Sequence, residues 1–184
     1  MRKLKLQVQM TVDGYIAGPN GEMEWTIRDW DNELKNYVEK ITEPVDCIVL
    51  GRKLAQGFIP YWAANPQQEG ADKFNNTLRV VFSKTLDKPA WDNTHLAKGD
   101  LVEEMMKLKN QEGKDIIAYG GATFVSALIK HGLIDEFHLF INPVAIGNGM
   151  TIFKELDHNQ NLTLVKSTPF ACGIVVLNYE PKHD

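Results

Sequence analysis

Residues 115–132 read DIIAYGGATFVSALIKHG. Asp115 to Tyr119 form a short, nearly apolar run of the kind that fills a strand covered on both faces. Gly120 and Gly121 follow, and then Phe124, Val125, Leu128 and Ile129 fall on one helical face. Gly132 is placed as the helix C-cap, with Lys130 and His131 suiting the negative end of the dipole. A buried strand that turns through glycine into a helix is the joint of an α/β crossover. Two side-chain-free residues at that joint answer either to packing or to something that must approach the backbone closely.

The same joint recurs upstream. DCIVL (46–50) and LRVVF (78–82) are short β-branched runs, followed by Gly51-Arg52-Lys53-Leu54 and by Ser83-Lys84-Thr85-Leu86. Leu4, Leu6, Val8 and Met10 alternate with Lys5, Gln7 and Gln9, the period of a strand with one polar face. TVDGYIAGPNG then opens a loop. Trp30, Leu34, Tyr37, Val38 and Ile41 are spaced as a helix, with Asp29 and Asp31 suited to cap or charge its start and Pro44 beyond its end. Leu101, Val102, Met105, Met106 and Leu108 make a second stripe over 100–109. Between DCIVL and LRVVF lies a long segment holding GRKLAQGF, the aromatic pair Tyr61–Trp62 in a loop-like context, and a polar stretch around Gln67–Asn76.

After Gly132 the pattern changes. IDEFHLFINPVAIG, NLTLVKS and GIVVLNYEP are strands separated by loops and not by helices, so antiparallel pairing is expected there. The combination predicts a three-layer α/β/α arrangement around a mixed, mostly parallel sheet with antiparallel C-terminal strands. With 184 residues, one domain over 1–184 is expected.

The bulk composition narrows the function. Twenty basic and 24 acidic residues leave a net charge of −4 with no basic block, which argues against non-specific nucleic-acid binding. Cys47 and Cys172 sit singly in apolar surroundings and read as reduced core thiols. His95, His131, His138, His158 and His183 are scattered, so no metal spacing is present. No apolar run approaches the roughly 20 residues of a membrane span, and a cytoplasmic location is expected.

Three strand tips bearing glycine or a small polar residue define one edge of such a sheet, and ligands of open α/β sheets bind outside that edge. Arg52, Lys53 and Lys84 add positive charge there. The edge suits an extended phosphate-bearing ligand such as a dinucleotide, bound at helix N-termini. Neither G-x-G-x-x-G nor a Walker-type lysine motif occurs.

TVDGYIAGPNGEMEW, VLGRKL, VVFSKTL and IIAYGGATFVSALIKHGLIDEFHLFINPVAIGNGMTIF, in that order, resemble the dihydrofolate-reductase-like superfamily, and within it the RibD C-terminal (riboflavin-biosynthesis reductase) family, from about residue 3 to residue 180. The resemblance implies NADPH as cofactor and a homodimer. It implies that Gln9, Ile16 and Ala17 border the nicotinamide, and that Gly51, Arg52 and Lys53 open a helix onto the phosphates. Ser83 and Lys84 would meet the adenosine ribose and its 2′-phosphate, and Gly120, Gly121, Ala122 and Thr123 would hold the pyrophosphate. Two positions depart from the pattern. Leu54 stands where the family usually has threonine, and Trp30, between Asp29 and Asp31, falls near the place of the acid that binds pterin in dihydrofolate reductases.

Hydride transfer to a C=N bond also requires a proton source. Asp13, after the first strand and matching the family's opening aspartate, is the leading candidate, followed by Asp29 and Asp31, with Glu22 or an ordered water as alternatives. Its other reading is an Asx-turn residue. Trp25, Trp30, Phe58 and Trp62, with Asp31, are candidates for the substrate pocket, and His138 reads as structural or as an interface residue. The expectation is an NADPH-dependent reductase of a small nitrogen heterocycle or ribosylamino intermediate, standing alone without a deaminase domain. The alternative is a non-catalytic NADP(H)-binding regulatory dimer.

Overall fold

The computed structural model describes residues 1–182, and His183 lies outside them. One eight-stranded sheet runs through the molecule in the order β4-β3-β2-β5-β1-β6-β8-β7. The elements are β1 (Leu4–Thr11), α1 (Asn32–Thr42), β2 (Val45–Gly51), α2 (Arg52–Ala64), α3 (Ala71–Asn76), β3 (Leu78–Phe82), β4 (Thr94–Ala97), α4 (Leu101–Asn110), β5 (Asp115–Ala118), α5 (Ala122–Lys130), β6 (Glu136–Asn142), β7 (Leu162–Pro169) and β8 (Val175–Pro181). From β4 to β6 all neighbours are parallel; β8 runs antiparallel to β6, and β7 antiparallel to β8. β6, reached through α5, is still parallel, so strand direction changes only after Asn142, where loops join β6, β7 and β8.

Alternation in β1 sorts the two faces. Leu4, Leu6, Val8 and Met10 enter a core with Cys47, Val49, Ile116, Ala118, Phe137 and Leu139, covered by Met105 of α4 and by Val125, Leu128 and Ile129 of α5. On the opposite face two separate apolar clusters form. Ile48, Leu50, Val81 and Ile117 pack under Ala55 and Ile59 of α2 and Phe74 of α3. Phe140 and Val176 pack under Leu34 and Ile41 of α1. The odd residues of β1 lie between these clusters on the same face, because Lys5 is in register with Ile117 on one side and Gln9 with Phe140 on the other.

Helix ends follow the chain's polar residues. Asp31 caps α1 through the Leu34 N–H and Asp100 caps α4 through the Val102 and Glu103 N–H groups. At the end of α5, Gly132 has φ +61° and sits one residue past the cap His131. The Leu133 and Gly132 amides bond to the carbonyls of Leu128 and Ile129, which is the Schellman arrangement.

Several expectations need correction. The helix α1 begins at Asn32, so Trp30 precedes it. Its indole stacks 6.1 Å from Phe140 and donates Nε1–H to the Ile27 carbonyl. Trp62 lies in a helix and not in a loop, because α2 continues through Gly57 and Pro60. Burial of Ala55 and Ile59 against β2 and β3 outweighs the missing Pro60 amide. The strand β6 stops at Asn142, before Pro143. Both α3 and β4 went unrecognised: six and four residues are too short to establish a period.

Candidate active site

Parallel pairing from β4 to β6 brings the C-terminal ends of these strands to one edge of the sheet. Gly51, Ser83 and Gly120 all leave from that edge, together with Lys98 beyond β4 and Asn142 at the end of β6. The α2 and α5 starts lie side by side. A side chain begun at Gly51 would meet Phe124 Cβ at 2.7 Å, and one begun at Gly121 would lie 3.6 Å from Leu54 Cβ. Leu54 thus fills space beside the glycine pair, at the position where the resembled family usually has threonine.

The three glycines are small for different reasons. Gly51 has an ordinary φ of −74° and is excluded from bearing a side chain by Phe124. Gly120 and Gly121 have φ of +70° and +85°, a region costly for other residues, and meet only ordinary van der Waals neighbours. The turn they make leaves the first amides of α5 without a side-chain cap. The same holds for α2, whose N-cap is Gly51. Neither helix has an acid in its first turn, whereas α1 has an aspartate cap with Glu33 and α4 an aspartate cap with Glu103 and Glu104. Two bare, positive helix ends therefore face the same edge.

Cations lie along the same edge. Arg52 is half-buried, with Nη1 3.4 Å from Gln56 Oε1, and Lys53 and Lys84 are exposed. Lys98, which the missed β4 hid from sequence reading, donates to the Asp87 carbonyl. Lys154 arrives from the far side of the sequence, its Nζ 3.4 Å from Thr123 Oγ1 at the start of α5. Ser83 is buried, and its Oγ accepts from the Thr85 and Leu86 amides. It shapes the turn that presents Lys84. Ala122 continues from Gly121 as the first residue of α5.

A slot adjoins this ledge. The pairing of β1 with β5 ends at Leu6, whereas its pairing with β6 continues to Thr11. The upper half of β1 therefore has no strand on its β5 side. Gly120 passes there, 3.8 Å from Val8 Cγ1 measured from where its side chain would begin. Below the slot, the odd face of β1 floors a groove between the shoulders formed by α1 and α2. Lys5 closes its lower end, bonded to Asp115 at 2.8 Å and to the Ile41 carbonyl. Gln7 and Gln9 follow. The Gln9 Oε1 accepts from Asn142 Nδ2 at 2.7 Å, and Asn142 Oδ1 accepts the Ile27 amide, tying the α1 side to the floor. The Gln7 Oε1 is buried with no hydrogen-bond partner among the described residues. Phe58 and Trp62 stand on the α2 side within the same cluster as Tyr119, whose phenol burial pushes well above its ordinary pKa. Lys35 of α1 and Glu69, between α2 and α3, form an ion pair of 3.1 Å from one shoulder to the other.

The loop after β1 is pinned to the loop after β6. Val12 donates to the Val144 carbonyl, and Ala17 and Met150 pair as an isolated bridge. A side chain begun at Gly149 would come 2.2 Å from the Ala17 carbonyl, so only glycine fits there. Ile16 and Ala17 are buried by this pairing. Asp13 joins the clamp by accepting the Ile146 and Gly147 amides. The Thr11 hydroxyl, with these amides, holds its carboxyl below the ordinary carboxylate range. This geometry gives Asp13 a structural job in the clamp. Asp31 is likewise committed, to the Leu34 and Cys172 amides, and is held low by them. Trp25 is half-buried in the loop between β1 and α1, with its indole N–H unpaired. Of the residues sequence reading passed over, Gln7 had a visible signal, since alternation already placed it on the polar face of β1.

Similarity to known proteins agrees with this arrangement. The chain is 34% identical over 183 residues to the uncharacterised protein YyaP of Bacillus subtilis (strain 168), covering 97% of this chain and 94% of that one. In fold it is similar to the deaminase/5-amino-6-(5-phosphoribosylamino)uracil reductase of Thermotoga maritima, with a TM-score of 0.73, 16% identity, and coverage of 98% of this chain and 57% of that one. It is also similar in fold to dihydrofolate reductase from Enterococcus faecalis complexed with NADP(H), with a TM-score of 0.67, 20% identity, and coverage of 98% and 97%. The architecture is thus dihydrofolate-reductase-like. The RibD C-terminal domain model matches residues 2–176, and the chain belongs to that family.

Proposed function

We propose that this chain is an NADPH-dependent reductase of a small nitrogen heterocycle, either a pyrimidine of the riboflavin pathway or a dihydrofolate-like compound. The observation that supports this most is the pair of uncapped, acid-free helix starts at α2 and α5. They stand side by side at the ledge, next to the slot along β1. Free amides at two helix ends suit the pyrophosphate of a dinucleotide, and Arg52, Lys53, Lys84, Lys98 and Lys154 supply cations. Lys84 and the turn built on Ser83 would take the 2′-phosphate. Gln9, Ile16 and Ala17 would border the nicotinamide, which supplies the hydride when bound. The groove beside the slot would hold the acceptor, with Phe58 and Trp62 as one wall and the Trp30 side as the other. Exposed Leu164 and Val165 on β7 support the homodimer expectation.

Titration with NADPH, followed by quenching of tryptophan fluorescence, tests the cofactor reading, and absence of binding overturns it. Lys84→Ala is expected to weaken NADPH about tenfold and NADH little. Equal losses would remove the 2′-phosphate contact. Turnover is then sought with dihydrofolate and with the ribosylaminopyrimidine. The second reading, a regulatory dimer that binds NADP(H) without turnover, is supported by the commitment of Asp13 and Asp31 to backbone amides. Binding without turnover across the panel would favour it.

A further inference from the structure

Asparagine followed by glycine occurs twice in the chain, at Asn20-Gly21 and at Asn148-Gly149. Such a pair is chemically labile, because the short carboxamide reaches the next backbone nitrogen and glycine puts no side chain in its way. Both asparagines are exposed, yet the fold treats them differently. Asn20 donates Nδ2 to Glu22 Oε1 at 2.8 Å and its backbone N–H to Glu22 Oε2 at 2.9 Å, while the Gly21 N–H donates to the Gly18 carbonyl. Among the described residues, neither the Asn148 carboxamide nor the Gly149 N–H has a hydrogen-bond partner. This second pair also lies inside the clamp between the loops after β1 and β6. On one side of it Gly147 donates to Asp13 Oδ2 at 2.7 Å. On the other, Met150 donates to the Ala17 carbonyl and accepts from the Ile16 N–H, both at 2.8 Å.

We infer that Asn148 is a site of intramolecular deamidation whose products open this clamp. The Gly149 nitrogen attacks Asn148 Cγ, and the new C–N bond closes a succinimide ring. The bond from Cγ to the amide nitrogen breaks, and ammonia leaves with the proton that Gly149 gives up through solvent. Water then opens the ring at one of its two carbonyls, giving aspartate or isoaspartate at 148. Amide and water become carboxylate and ammonium, with no change of oxidation state. Either product sets a negative charge one residue from the amide that serves Asp13, a like-charge neighbour for that carboxylate. Isoaspartate also lengthens the main chain by a methylene between the Gly147 and Met150 contacts. Deamidation here needs no cofactor, so it stands apart from the reductase reading.

The test incubates the full chain without ligand in mildly alkaline buffer and follows the peptides around both pairs by mass spectrometry, which reads the replacement of NH by O. Asn148 is expected to convert about tenfold or more faster than Asn20, whose bonds to Glu22 must first break. Equal rates, or a faster Asn20, overturn the proposal. Glu22→Ala releases Asn20 and should raise its rate by about the same factor; an unchanged rate overturns the account of why the two sites differ. The converted fraction, separated by its added negative charge, should melt a few degrees below fresh protein, and Asn148→Ser should keep its Tm through the same incubation. A converted fraction with the Tm of fresh protein overturns the opening of the clamp.

Discussion

Gly51 and Gly121 look alike in sequence, each following an apolar run and preceding a helix, yet the structure demands glycine at each for a different reason. Alanine at 51 must displace Phe124, whose Cβ lies 2.7 Å from the new atom, and the expected destabilisation is about 1–3 kcal/mol. Alanine at 121 has room but must adopt φ +85°, with an expected loss of about 1–2 kcal/mol. Denaturant unfolding measures both. A neutral Gly121→Ala would mean that the turn relaxes out of the positive-φ region. The pair at 120–121 was legible as a special turn, because few other reasons place two glycines between a strand and a helix. The hindrance at Gly51 was not legible, since Phe124 is distant in sequence and reaches Gly51 only through the folded neighbourhood of β2 and α5.

At the scale of elements, the committed carboxylates make the clearest predictions. Asp31→Ala removes the cap of α1 and an acceptor for the Cys172 amide, so Tm should fall by a few degrees while NADPH affinity holds. If Asp13 is a clamp, Asp13→Asn should retain much of whatever turnover is found, because an amide oxygen still accepts the Gly147 N–H, and Asp13→Ala should lose it. Equal loss in both variants would favour the proton-donor role instead. Among the elements themselves, β1 and α5 were readable from a clean period, and β2, β3 and β5 from short apolar runs, each followed by a chemical stop. The helix α2 was obscured by Gly57 and Pro60, two residues that oppose helix locally and are overridden by packing on the sheet. With β4 unseen, Lys98 could not be placed on the ledge.

Across the molecule, β6 links the acid stability of the sheet to one carboxylate. His138 Nε2 lies 3.4 Å from one oxygen of Glu136 and Lys3 Nζ 2.6 Å from the other, and together they hold its pKa down to about 2, against 4.5 ordinarily. A depressed carboxylate stabilises fully above its unfolded value and loses that contribution as pH falls. Stability should therefore drop by roughly 2 kcal/mol between about pH 4.5 and 2, and Glu136→Gln should flatten that part of the profile. An unchanged profile would show that Glu136 is not the controlling group. Tyr37, whose hydroxyl meets His138 Nδ1 at 2.7 Å, is pushed up to about 12 by burial and stays neutral throughout this range. The layer order and strand directions were foreseeable from where helices give way to loops. The floor of the groove was only half foreseeable: alternation put Gln7 and Gln9 on a polar face, but nothing local says that Asn142 of β6 answers Gln9.

The two bare helix starts have a practical corollary at the bench. Sulfate or inorganic phosphate in a storage buffer would settle on the same amides and raise the melting temperature of the ligand-free protein. Affinities for any dinucleotide measured in such buffers would come out too weak, by a margin that disappears on exchange into chloride.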